Sequence, residues 1–190
     1  MNESKLSPRH NPEDAIIVIM DLQERLLPSI QNMDNVVDSN KILIQASVLL
    51  ELPIVVTEQV PEKLGRTIAG LFKDDQGFQL FEKATFSAFG SNAFREMLDI
   101  RQVKHIVLSG IETPICIFQT AMDALSLGYT VTTLEDCVGA RRETDASRCL
   151  SQLVHSGVSV IPMETFLYQQ LQSSTHPRFR ETSSLIRSRN

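Results

Sequence analysis

The segment Ala15-Ile-Ile-Val-Ile-Met20 is apolar at every position and stops at Asp21. A run with no polar face suits a strand buried on both sides, as in a parallel sheet. The stretch Asn35 to Leu50 follows, with Val36, Ile42, Leu43, Ala46, Leu49 and Leu50 at helical spacing. Pro53-Ile-Val-Val-Thr57 is a second β-branched run, and it ends at Glu58. Strand, helix, strand is the unit from which α/β folds are built.

The pattern continues downstream. His105 to Ser109, Tyr129 to Leu134 and Val158 to Ile161 read as strands. Ile115 to Leu127, Glu143 to Ser156 and Thr165 to Leu171 read as helices. Gly128 and Gly157 stand where a helix ends and a strand begins. Gln59 to Ser91 is rich in Pro and Gly and too long for an ordinary connector, with Gln79 to Glu82 as a short strand inside it. Right-handed crossovers then give a three-layer α/β/α sandwich around a mainly parallel, Rossmann-like sheet of six strands. Residues 1–13 are expected to be a flexible tail and residues 14–172 the domain. Residues 173–190 are an extension that packs on the domain or frays from it, with a helix through Leu185 and Ile186.

Composition limits the function classes. The chain has 190 residues, 42% of them hydrophobic, which suits one domain with a real core. Eighteen Lys and Arg against twenty-three Asp and Glu leave a net charge of −5, a poor match for a polyanion. Three Cys are too few for a disulfide framework and point to a reducing compartment. No apolar run approaches the length of a membrane span, and residues 1–14 lack the apolar centre of a secretory signal. A cytoplasmic protein is therefore expected.

In a parallel sheet, ligands bind beyond the carboxyl ends of the strands. Asp21, Glu58, Lys83, Glu112, Thr113, Cys116 and Asp136 all fall on that side. In Ser109-Gly-Ile-Glu-Thr-Pro-Ile-Cys116, Thr113 suits an N-cap and Pro114 the first helical position. Cys116 then lies in the first turn, where free N–H groups and the helix dipole favour a thiolate. Local features leave open whether it reacts or merely packs between Ile115 and Ile117. Cys137 and Cys149 read as packing residues. The four His lie away from this edge, whereas Asp21 and Lys83 are on it.

Three motifs together resemble the isochorismatase-like cysteine hydrolases: Asp21-Leu-Gln23, Phe81-Glu-Lys83-Ala-Thr-Phe86-Ser, and Gly110-Ile-Glu-Thr-Pro-Ile-Cys116. The match in order and spacing runs from about residue 14 to 172. It implies an Asp21, Lys83, Cys116 catalytic triad and a cis peptide between Ile111 and Glu112. It also implies an oxyanion hole formed by the N–H groups of Glu112 and Cys116. The implied reaction is hydrolysis of a small amide through a thioester. Leu22, Gln23, Glu58, Gln59, Phe86, Ile111 and Thr113 are expected around the substrate, with Phe89 and Phe118 adding apolar surface.

Departures from the pattern narrow the reaction. No His occurs from Gln59 to Gln102, so a nicotinamidase-type metal site is not expected, and no cofactor is expected either. True isochorismatases lack the nucleophilic Cys at this position. Thr57-Glu-Gln59-Val-Pro-Glu-Lys-Leu-Gly65 resembles the small stand-alone isochorismatase-domain proteins. Homo-oligomers are common in the superfamily. A scaffold without catalysis, or a nuclease, are the competing functions. The short Arg141-Arg142 pair is weak support for nucleic acid.

Overall fold

The computed structural model describes residues 14–72 and 78–189. The expected N-terminal tail lies outside them. Six strands form one sheet: β1 (Ala15–Met20), β2 (Ile54–Gln59), β3 (Gln79–Lys83), β4 (His105–Ile111), β5 (Thr130–Gly139) and β6 (Ser159–Ile161). Their order is β3-β2-β1-β4-β5-β6 and every pairing is parallel. The chain therefore builds outward from β1 on one side, then returns to β1 and builds outward on the other. The switch in strand order falls between β1 and β4.

Among the described residues, seven α-helices complete the three layers: α1 (Met33–Leu49), α2 (Pro61–Leu64), α3 (Asn92–Ile100), α4 (Phe118–Ser126), α5 (Glu143–His155), α6 (Met163–Leu171) and α7 (Phe179–Arg187). The uniformly apolar β1 serves both layers. Ile16, Val18 and Met20 pack with Phe94 and Leu98 of α3, Ala121 and Ala124 of α4 and Leu153 of α5. Ile17 and Ile19 pack with Leu43 and Ile44 of α1, Phe166 and Leu167 of α6 and Ile186 of α7. Alternate side chains of a strand point to opposite faces, so two cores share one backbone.

Several boundaries differ from those the sequence suggests. Glu58 and Gln59 belong to β2, and Lys83 is the last residue of β3. Their ladder partners across the two strands, Glu58 with Glu82 and Gln59 with Lys83, continue the pairing into polar sequence. β5 runs to Gly139, past a register shift opposite Leu108 and Gly110. Asp136 and Cys137 thus lie inside a strand and not in a loop. Helix α3 carries Phe94, Met97 and Leu98 on its buried face, a helical spacing hidden beside the loop-rich stretch.

The segment after β4 is not a capped α-helix. Thr113–Ile117 forms a π-helical turn, with the Ile117 N–H donating to the Glu112 carbonyl five residues back. Thr113 makes no side-chain cap. It is buried, and its hydroxyl donates to the Gly139 carbonyl of β5 at 3.1 Å. In the C-terminal extension, α7 packs on α1 and α6.

Candidate active site

The site is assembled by the ends of β1, β3 and β4, with β2 between the first two. Asp21 leaves β1 with φ 53, a left-handed turn that Asp tolerates better than most residues. Beside it, Gly110 of β4 has φ 98, and a Cβ there would lie 2.1 Å from the Met20 carbonyl oxygen. Only glycine permits this approach of β4 to the end of β1.

Lys83 reaches from β3 across β2 to Asp21. Its Nζ donates to Asp21 Oδ2 at 2.7 Å, and neither side chain is exposed to solvent. Asp21 Oδ1 accepts the Thr57 hydroxyl at 2.7 Å. Lys83 Nζ also donates to Gln59 Oε1 at 2.7 Å, lies 3.4 Å from the Thr85 carbonyl, and is 3.7 Å from Cys116 Sγ. The structure thus brings Asp21, Lys83 and Cys116 to one point, with the ammonium between a carboxylate and a sulfur.

Cys116 is buried in the π-helical turn. Burial, and after it the negative charge of Asp21, push its thiol up to about 12. Lys83 pulls the other way, as does the backbone N–H of Glu112, which donates to the sulfur. A thiol hydrogen bond to Asp21 further favours the protonated form. Desolvation and a neighbouring carboxylate thus outweigh the pull of the helix start toward a thiolate. The Ile111–Glu112 peptide is cis. The Glu112 carboxylate accepts from Arg141 Nε at 3.1 Å.

The other expected pocket residues divide. Gln59 points to the site through its contact with Lys83. Gln23 is buried and acts as a brace. Its Oε1 accepts from the Gln59 N–H at 2.7 Å, while its Nε2 donates to the carbonyls of Gln59 and Gly65. Glu58 is on the opposite face of β2 from Thr57 and Gln59, so it does not line the site. It accepts from the Thr67 N–H and hydroxyl and from Arg66 Nη1, all within 2.8 Å. Burial raises the Glu58 carboxyl, but these donors together hold it below its ordinary value.

Leu22 and Ile111 are also displaced from the expected pocket. Both side chains are fully buried in the core on the α1 side of the sheet, away from Cys116. Thr113 is spent on Gly139. Phe89 packs edge-on against Phe94 in the core, and Phe118 is half-buried against the same cluster. Phe86, 52% exposed, stands on the loop that follows Lys83. Thr57, which the sequence reading passed over, touches the site directly. Its period-two relation to Gln59 was the available signal.

Among the described residues, no group of three or more His, Cys, Asp or Glu is arranged to hold a metal ion, and no helix is long and apolar enough to cross a membrane. The isochorismatase domain model matches residues 15–165, most of the chain. The chain belongs to the isochorismatase family. Isochorismatase domain-containing protein 2 of Xenopus laevis is 34% identical over 172 residues, which cover 90% of this chain and 83% of the frog protein. Among solved structures, the MAR1 ribonuclease of Caenorhabditis elegans is 29% identical with a TM-score of 0.86, covering 94% of this chain and 92% of the nematode chain. The Escherichia coli YcaC gene product, described as an octameric hydrolase of unknown specificity, has a TM-score of 0.81 at 16% identity, covering 97% and 98%. This family member therefore carries an isochorismatase-type hydrolase fold, with Asp21, Lys83 and Cys116 at the carboxyl edge of its sheet.

Proposed function

We propose that the chain is a cysteine hydrolase of a small non-peptide amide, acting through a thioacyl intermediate. The observation that carries this reading is Lys83 Nζ seated 2.7 Å from Asp21 Oδ2 and 3.7 Å from Cys116 Sγ in a buried setting. A substrate carbonyl meets the sulfur as the thiol proton passes to Asp21, so no free thiolate has to accumulate. The C–S bond forms and the carbonyl π electrons move to oxygen, where the Glu112 N–H stabilises the oxyanion together with that of Cys116. Asp21 returns its proton to the leaving nitrogen as the C–N bond breaks. Water then attacks the thioester, giving a proton to Asp21, and the thiol is regenerated with release of the acid.

The test is a screen of small amides and esters with wild type and Cys116→Ala, read by intact mass. The expected result is turnover with an acyl adduct on Cys116 that the variant lacks. Full turnover by Cys116→Ala would end the covalent reading. Nuclease action, the activity in the nematode relative's name, has a separate signature. RNA cleavage with binding that weakens steeply as salt rises would favour it over the amide. Homo-oligomer formation and a cytoplasmic location belong to the same proposal, and light scattering measures the first.

A further inference from the structure

Strand β2 carries none of the three reacting side chains, yet it lies between the strands that bear Asp21 and Lys83. Neighbouring strands are about 4.8 Å apart, so the two side chains must meet over β2. Gln59 sits under that crossing. It is the ladder partner of Lys83, and the Val60 N–H beside it donates to the Lys83 carbonyl at 2.9 Å. We propose that Gln59 is a positioning residue that aims the Lys83 ammonium at the Cys116 sulfur. The proposal rests on the cysteine-hydrolase reading for its purpose, but not for its geometry.

The orientation of the Gln59 amide is fixed by chemistry. Its Nε2 donates at 2.8 Å to the Ala84 carbonyl, which only accepts. Its Oε1 therefore faces the Lys83 ammonium, which only donates. The backbone of Gln59 is held at both polar atoms by Gln23. An ammonium has three N–H groups. Asp21 Oδ2 and Gln59 Oε1 take two of them at 2.7 Å each. The third is left between the Thr85 carbonyl at 3.4 Å and Cys116 Sγ at 3.7 Å. Without Gln59 the ammonium has one strong acceptor and is free to rotate and move about Asp21. The sulfur then loses a fixed donor. Gln59 touches no reacting atom in this scheme and acts only through Lys83.

The test uses the full chain and needs no substrate. Iodoacetamide alkylation of Cys116 is followed over a pH series by peptide mass, which separates it from Cys137 and Cys149. Thermal unfolding reports the fold. Gln59→Met is expected to slow Cys116 alkylation by roughly three- to tenfold at mildly alkaline pH, because the thiolate is the reactive form and Lys83 supports it. In a Lys83→Met background the same change should have no further effect. If Gln59→Met does not fold, Gln59→Asn, whose shorter amide cannot reach both Lys83 and Ala84, carries the same comparison. If Lys83→Met does not fold, the ammonium proton resonance of Lys83 replaces it, sharp in the wild type and lost to exchange in the Gln59 variants. An unchanged alkylation rate, an equal loss with and without Lys83, or an unchanged Lys83 resonance overturns the assignment. Failure to find an amide substrate would sink the hydrolase reading and leave these outcomes as they are.

Discussion

Among the described residues, an aspartate, a cation and a buried cysteine meet at the edge of the sheet and again in β5. At the edge of the sheet they are Asp21, Lys83 and Cys116. Inside β5 they are Asp136, Arg189 and Cys137. In the second cluster Arg189 pairs with Asp136 Oδ2, and the Cys137 sulfur lies 3.8 Å from Asp136 Oδ1. Burial and the neighbouring carboxylate raise both thiols. The differences lie in what else each group does. Asp136 Oδ1 accepts the Met163 N–H at 2.7 Å and so holds the start of α6. Its partner Arg189 follows α7 and is 32% exposed, against complete burial for Lys83. Cys137 is sealed in the α1-side core. Cys116 instead sits beyond a strand end, with a backbone N–H aimed at its sulfur. A carboxylate, a cation and a thiol thus make a latch in one place and a candidate reaction centre in the other.

The sharpest way to break the comparison is to remove each cysteine. Cys116→Ala should reduce amide turnover by about a thousandfold or more, as loss of a nucleophile does. Cys137→Ala should leave turnover intact and cost about 1 kcal/mol of stability in denaturant unfolding. The carboxylates come next. Asp21→Ala strands a buried ammonium and is expected to cost about 3–5 kcal/mol. Asp136→Ala removes a partly exposed pair and one helix-start acceptor, for about 1–2 kcal/mol. Equal losses would erase the distinction. Gly110→Ala should cost about 3 kcal/mol or more, because the new Cβ meets backbone and not a flexible side chain.

A smaller effect is read with pH. The Cys116 thiol is raised from its ordinary 9 to about 12 in the folded chain. Below the unfolded value both states are neutral, and its contribution to stability is fully present. As pH rises past that value the unfolded thiol ionises first, so the contribution is lost toward 12. Denaturant midpoints should fall over that alkaline window, and less so in Cys116→Ala. The smallest effect is acidic and belongs to Glu58, which holds Arg66 and Thr67. Glu58 is held below 4.5, so its contribution is present above that pH and is lost as pH falls. Glu58→Gln should flatten the acid limb of the stability curve by about 1 kcal/mol or less.

Much of this was legible because strand ends announce themselves. β1 is apolar on both faces, so its termination at Asp21 is unmistakable, and Lys83 and Cys116 follow from the same strand-edge logic. Faces were harder. Leu22 and Ile111 are each next to a site residue, and one step along an extended backbone turns a side chain to the other layer. Glu58 and Gln59 show the same parity: one organises the Arg66–Thr67 loop and the other meets Lys83. The extension of β5 through Asp136 was hidden because its polar side chain is satisfied by α6 and Arg189, partners far away in sequence. The thiol's state could not be read from a helix start at all, since it depends on burial and on Asp21 arriving from another strand.

Protonation of Cys116 at rest also bears on chemical damage. Peroxide attacks thiolates, and an unfolded chain would expose an ordinary thiol with more of that form at neutral pH. The burial that makes the sulfur a reluctant anion would therefore slow its oxidation in the folded chain. Slower sulfenic acid formation at Cys116 in the folded chain than in urea is the corresponding measurement. Under the proposed mechanism, an incoming carbonyl alone arms the sulfur, which would leave the site durable at rest and reactive on demand.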